Sequence, residues 1–223
     1  MSERIGKFIV FEGLDGCGKS TQLEYLRKKL SMLCRPAGKR KVFATREPSD
    51  SVPGVICRGI SKRTIFAQNE TEALLFAADR CEHVANEILP QINAGNHVLC
   101  DRFFLSNFAY QSAEVDINAI LNYNMSSMKQ IMPDLTVFFD VPPEECERRR
   151  AAERATEEKH ENIGRLKIVR ENYYKSINFL KENNIDLNLL YINWNESDDS
   201  GQVFDKLWTE LVNKNVFSDE DYI

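Results

Sequence analysis

Gly13-Leu14-Asp15-Gly16-Cys17-Gly18-Lys19-Ser20, followed by Thr21, fits the pattern G-x-x-x-x-G-K-[ST]. The apolar run Phe8-Ile9-Val10-Phe11 precedes it and an amphipathic stretch, Lys19 to Met32, follows. That strand–loop–helix context sets the motif apart from a plain turn with coincidental glycines. Each residue type has a chemical reason. Glycines at 13, 16 and 18 admit positive φ and let backbone N–H groups converge on an anion. The helix beginning after Gly18 adds partial positive charge. Lys19 suits a bridge between β- and γ-phosphates, and the Ser20 hydroxyl suits a Mg²⁺ ion.

Outward from this loop, short apolar runs alternate with helical patterns. Lys41–Thr45, His97–Cys100, Leu135–Phe139 and Leu187–Ile192 read as further strands. Phe8–Phe11 is apolar throughout and the others are mostly apolar without strict alternation, which suits a parallel sheet covered on both faces. Helices are expected over Glu70–Ala94, Ser106–Tyr123, Pro143–Arg154, Asn162–Lys181 and Gly201–Val212. Pro90 should kink the first of these and Gly95 should stop it. Strand–helix alternation predicts an α/β fold with a parallel sheet. The acidic tail, Asn213 to Ile223, reads as disordered.

The chain has 223 residues, which suits one domain over 1–223. A hydrophobic fraction of 43% with 28% charged residues excludes a disordered or collagen-like chain. The formal charge of −5 argues against a partner that is a nucleic-acid polymer, which wants a basic face. No stretch approaches the roughly 18 apolar residues of a membrane span. The polar start, Met1 to Lys7, leads to the expectation of no secretory leader. Six scattered cysteines without a C-x-x-C pair point to reduced thiols in the cytoplasm. No Asn-Lys-x-Asp base reader of a GTPase switch occurs, and Asp198-Asp199-Ser200-Gly201 lies too near the end to be a switch loop.

Beyond the loop, Thr45-Arg46-Glu47-Pro48, Leu75-Phe76-Ala77-Ala78-Asp79-Arg80, Asp101-Arg102-Phe103, Ser106-Asn107-Phe108-Ala109-Tyr110-Gln111 and Pro133-Asp134-Leu135 follow in order. Together they resemble the thymidylate kinase family, in its bacterial-type branch, over roughly residues 5 to 180. The resemblance implies phosphoryl transfer from ATP to dTMP with Mg²⁺. It implies a P-loop α/β/α fold with a five-stranded parallel sheet, a small mobile lid at about 148–162, and a homodimer. The long helix over 70–94 is then the natural dimer surface.

The same resemblance assigns roles. Residues Gly13 to Thr21 and Arg149 would bind ATP, with Arg149 near the adenine. Phe76 would stack on thymine, with Arg80 one turn on as base-edge donor. Asn107, offering both donor and acceptor, would read the imide edge, with Gln111 behind it and Tyr110 against the sugar. Arg102 would clamp the dTMP phosphate, as a guanidinium fork suits it. Arg58 matches a second phosphate contact, although a solvated surface charge reads equally well. Asp15 and Glu47 are expected near the acceptor's sugar and phosphate. Ser20 and Asp101 would hold Mg²⁺.

Two departures from the family pattern stand out, one in the lid and one after Glu47-Pro48. The loop interior carries no basic residue, so a lid must supply the mobile cation, and Lys19, Arg102, Asp15 and Arg154 form the expected catalytic set with Arg150 as reserve. The lid itself reads Thr156-Glu157-Glu158-Lys159, and Ser49-Asp50 replace the family's glycine pair. Two rival readings follow. A deoxynucleoside or other nucleoside-monophosphate kinase could use the same scaffold, with Glu47 as a base. A catalytically weak nucleotide-binding regulatory module would fit the altered lid.

Overall fold

The structure is a computed structural model that describes residues 6–34, 40–153 and 161–217. Five strands form one sheet: β1 (Phe8–Gly13), β2 (Val42–Arg46), β3 (His97–Asp101), β4 (Leu135–Asp140) and β5 (Leu189–Asn193). Their order is β2-β3-β1-β4-β5 and every neighbouring pair is parallel. β1 lies at the centre, and its six residues are all buried, as its unbroken apolar run required.

Helix α1 (Lys19–Cys34) packs on β1, β2 and β3, with α9 (Ser200–Asn213) beside it. Helix α5 (Phe104–Gln111) packs on β1 and on α8 (Glu161–Glu182). The core clusters along β1, β3 and β4, with Phe11 and Phe139 stacked at 5.9 Å and Phe8 edge-on to Phe103 at 5.2 Å.

Three helical expectations need correction. The pattern over 106–123 is two helices, α5 and α6 (Ile117–Gln130), because Asp116 caps α6 by accepting from the N–H groups of Asn118 and Ala119. Helix α2 (Val52–Ser61) was not expected. Ser51 caps it by accepting from Gly54 N–H, and Pro53 stands in its first turn, where a missing N–H costs nothing. The stretch 70–94 divides into α3 (Asn69–His83), a π-turn over Val84–Ile88 and α4 (Leu89–Asn93). Leu89 N–H reaches Val84 O just before Pro90, so a π-turn, not a simple proline kink, absorbs the irregularity. Gly95, at φ +82°, ends the helix as expected.

Val216 N–H bonds Leu211 O and Phe217 packs edge-on against His97 at 5.3 Å, so the expected disorder from Asn213 does not hold through Phe217, and the rest of that tail lies outside the described residues. Helix α7 (Pro143–Glu153) carries Arg148, Arg149 and Arg150. Arg154 and the central part of the expected lid lie outside the described residues.

The topology positions the site. From β1 the chain passes through α1 to β2, on the far side of β3. From β3 it goes on to β4, on the other side of β1. The crevice beyond the ends of β1 and β3 is therefore the switch point, where open α/β sheets bind ligands. Register pairs Phe11 with Asp101, so the phosphate loop and Arg102 leave the sheet side by side.

Candidate active site

Gly13, Gly16 and Gly18 have φ of +141°, +87° and +96°, the region glycine alone enters freely. A Cβ on Gly16 would stand 2.5 Å from Cys146 O and 2.9 Å from Arg150 Cγ, so α7 rests directly on the loop. Lys19 Nζ donates to Gly13 O at 3.1 Å and Leu14 O at 2.9 Å, curled against its own loop. Arg149 Nη1 donates to Cys17 O at 3.3 Å and its Nε to Glu145 at 2.7 Å, which sets a cation at the loop's rim. Arg150 keeps a longer ion pair with Glu147, 3.7 Å. Arg148 is exposed and paired with Glu145. Leu14 and Cys17 are buried and serve the loop through their backbone, and Thr21 is exposed on the first turn of α1.

Ser20 Oγ donates to Asp101 Oδ2 at 2.6 Å. The other carboxylate oxygen of Asp101 is buried with no hydrogen-bond partner. A hydroxyl and a half-engaged carboxylate, side by side at the loop's exit, fit a Mg²⁺ ion that takes its remaining ligands from phosphate and water. Among the described residues no cluster of three or more His, Cys, Asp or Glu could hold a metal by itself. A cavity of about 410 Å³ opens beside this pair, lined also by Thr45, Arg46, Asp50 and Glu87. Phe76, Arg80 and Asn107 do not line it.

Arg102 has φ of +75°, a strained value for a side chain of its size, at the exit of β3. Its guanidinium donates to Asp15 at 2.6 Å, Ser106 Oγ at 2.9 Å, and the hydroxyls of Tyr110 and Tyr173 at 3.1 Å each. Arg102 holds the Asp15 carboxyl well below the usual carboxylate range. Beneath it, Glu12 is fully buried at the end of β1. It accepts from Phe103 N–H, Ser106 N–H, Ser106 Oγ and Tyr173 Oη. Helix α5 has no capping side chain of its own, and Glu12 caps it from β1 instead. Burial pushes the Glu12 carboxyl up, while Arg102 and the hydrogen bonds from Ser106 Oγ, Phe103 N–H and Tyr173 oppose that.

A second buried cluster sits on α3. Arg80 pairs with Glu47 at 2.6 Å and donates to Phe103 O at 3.3 Å and to Asn124. His83 Nδ1 lies 3.2 Å from the other Glu47 oxygen, and its Nε2 lies 2.7 Å from Thr45 Oγ1. Burial works against charge on His83, but Glu47, Glu87 and Asp79 outweigh it and raise its pKa. Glu47 is thus held at one oxygen by Arg80 and at the other by His83. Asn107 Nδ2 donates to Gln111 at 3.1 Å. Phe76 is half-buried one turn before Arg80 on α3. Arg58 donates to Pro48 O and Ser49 O and pairs with Asp50 at 3.1 Å, so it braces the turn after β2.

The structure therefore brings Lys19, Asp15, Ser20, Asp101, Arg102 and Tyr110 to one crevice, and Glu47, Arg80, Asn107 and Gln111 to an adjoining cluster. Sequence reasoning missed Glu12, His83, Asn124 and Tyr173. Glu12 left a signal: it is the one charged residue between an apolar strand and the loop glycine.

A family model for thymidylate kinase matches residues 11–189. A thymidylate kinase of Prochlorococcus marinus (strain MIT 9301) is 40% identical over 177 residues, covering 75% of this chain and 82% of the relative. A probable thymidylate kinase of Pyrococcus horikoshii is 39% identical over 176 residues, covering 76% and 82%. The crystal structure of thymidylate kinase from Ehrlichia chaffeensis superposes with a TM-score of 0.68 at 28% identity, covering 93% of this chain and 98% of that one. A phosphate loop beside a half-buried arginine, matched in sequence along most of the chain and in fold along nearly all of it, makes this chain a member of the thymidylate kinase family.

Proposed function

We propose that this protein transfers the γ-phosphoryl group of ATP to dTMP, giving dTDP and ADP. The observation that carries the reading is the juxtaposition of Lys19 and Arg102 at the ends of β1 and β3, with Asp15 between them. A phosphate oxygen of dTMP bonds to the γ-phosphorus while the bond to the β-bridging oxygen breaks, and ADP leaves. The acceptor phosphate is already a nucleophile, so no base is required. Lys19 leaves its carbonyl partners for the β- and γ-phosphates, Arg102 holds the acceptor phosphate, and both align the reactants. Ser20 and Asp101 would hold a Mg²⁺ ion, which would supply charge neutralisation for the phosphates. Arg149 lies at the donor side near the adenine, and Arg154 supplies the further mobile cation, with Arg150 as its reserve. Phe76, Arg80 and Asn107 receive the thymine, Tyr110 flanks the sugar, and Glu47, Arg58 and Gln111 support them.

Both Glu47 oxygens are engaged by Arg80 and His83, and the residue is only 5% exposed. That speaks against a nucleoside kinase in which Glu47 activates a 5′-hydroxyl. The exposed apolar side chains Val55, Phe66 and Leu74 on and between α2 and α3 support a homodimer through this face. Six free cysteines support a cytoplasmic enzyme. Among the described residues no helix is long and apolar enough to cross a membrane.

The test is ADP release with ATP, Mg²⁺ and a panel of dTMP, dUMP, dCMP, dGMP, UMP and thymidine. Turnover confined to dTMP, with a lesser rate on dUMP, supports the assignment. Preference for thymidine overturns the clamp role of Arg102. ATP binding without turnover on any acceptor leaves a regulatory module. Sedimentation of the free protein tests the dimer.

A further inference from the structure

Glu12 is a fully buried carboxylate that the phosphoryl-transfer step does not use. It reaches Arg102 through two hydroxyls. Arg102 Nη1 donates to Ser106 Oγ at 2.9 Å and to Tyr173 Oη at 3.1 Å. Both hydroxyls donate in turn to Glu12 Oε2, at 2.6 Å and 3.0 Å. The other oxygen, Oε1, accepts from the N–H groups of Phe103 and Ser106 at 2.9 Å and 3.2 Å. Two donors at each oxygen favour the charged carboxylate.

Chemistry fixes the direction of these bonds. A guanidinium only donates and a carboxylate only accepts. A hydroxyl has a single proton, so between the two it turns that proton to Glu12 and a lone pair to Arg102. The carboxylate thereby orients both hydroxyls as acceptors for the arginine. The result is an ion pair spanned by two buried hydroxyls in parallel.

The opposite edge of the guanidinium is different. Arg102 Nη2 donates to Asp15 at 2.6 Å and to Tyr110 Oη at 3.1 Å, and the Asp15 side chain is 55% exposed. A phosphate entering the crevice meets Asp15, whereas the partners of Nη1 are shut off from solvent. The inner edge is an anchor and the outer edge is open to exchange. The anchor matters because the Arg102 backbone, at φ +75°, keeps that conformation only if its surroundings hold it.

We propose that Glu12 is a positioning residue for the acceptor phosphate. Through Ser106 and Tyr173 it holds Nη1 of Arg102 in place while Nη2 exchanges Asp15 for the phosphate. The proposal rests on the reading that Arg102 clamps the dTMP phosphate. It gives Glu12 a second task besides capping α5, and the two tasks fall on different oxygens.

The experiment measures the affinities of dTMP and thymidine by titration calorimetry in the native protein, Glu12→Gln and Tyr173→Phe. Thymidine lacks the phosphate, so the ratio of the two dissociation constants isolates what the phosphate contributes. In Glu12→Gln the amide oxygen can keep the two backbone N–H groups. An NH₂ group replaces Oε2, and the hydroxyl protons lose their acceptor and turn toward other oxygens. The advantage of dTMP over thymidine is expected to fall at least about tenfold. In Tyr173→Phe one bridge is lost while the ring keeps its place 5.1 Å from Phe138, and a fall of about fivefold is expected. Thymidine affinity is expected to stay within about twofold of native in both variants. A merely structural role for Glu12 weakens both ligands together and leaves the ratio unmoved, which overturns the proposal. So does a ratio within about twofold of native in Tyr173→Phe, a variant that decides the matter even if Glu12→Gln does not fold. If the native protein binds thymidine as tightly as dTMP, the clamp role of Arg102 itself fails, and this inference falls with it.

Discussion

Arg102, at φ +75°, reaches from the end of β3 to the Asp15 carboxylate of the phosphate loop at 2.6 Å. This contact joins the two halves of the crevice. The left-handed backbone turns the guanidinium back over the sheet edge, where Ser106, Tyr110 and Tyr173 also accept from it. A lysine has neither the fork nor the reach to replace these contacts. Arg102→Lys is therefore expected to lower kcat/KM for dTMP by at least about a hundredfold, with a smaller change in KM for ATP. Steady-state kinetics with each substrate varied in turn checks this.

The Arg80–Glu47 pair is buried on both sides, 1% and 3% exposed at the side chains. Arg80→Met leaves the Glu47 carboxylate with His83 as its remaining side-chain partner. The expected loss of folding stability is about 3 kcal/mol. Urea denaturation near neutral pH measures it, and a loss below about 1 kcal/mol contradicts the pair's importance.

His83 ties stability to pH. Its pKa is raised in the fold because burial is outweighed by Glu47, Glu87 and Asp79. The protonated imidazole therefore contributes stability in full below the unfolded value of about 6.5, and that contribution is lost as pH rises through the higher folded value. The stability difference between the native protein and His83→Gln is expected to shrink steadily above pH 6.5. A difference that stays constant or grows across that range contradicts the assignment.

Gly16 tests the contact between the phosphate loop and α7. A methyl group there meets Cys146 O at 2.5 Å and the Arg150 stem at 2.9 Å, in a backbone at φ +87°. Gly16→Ala must shift the loop or lift α7. ATP affinity is expected to fall at least about tenfold, read by titration calorimetry, since the loop's N–H groups no longer converge.

Much of this architecture is legible along the chain. The run Phe8–Phe11 is apolar without alternation, so it had to be a strand covered on both faces, and it became the central one. Other features were hidden for local reasons. The pattern over 106–123 keeps its apolar period across a real break, because the side chains of both helices face one core. Only the Asp116 cap marks the boundary, and an aspartate within a helical pattern is a weak signal. Helix α2 begins at Val52-Pro53, which reads as a turn until Ser51 is seen to cap it.

The sequence alone determined the parallel α/β plan, the phosphate loop and the residue types at the donor site, because each follows from contacts between neighbours in the chain. A glycine's φ, a helix N-terminus and a strand's apolar run are properties of a few consecutive residues. Tertiary structure decided the rest. Glu12 caps a helix that starts 92 positions further along, at Phe104. Asn124, on α6, bonds an amide on α5 and a guanidinium on α3. Folding alone brings such groups together, because a hydrogen bond needs its partners within about 3 Å whatever their separation in sequence.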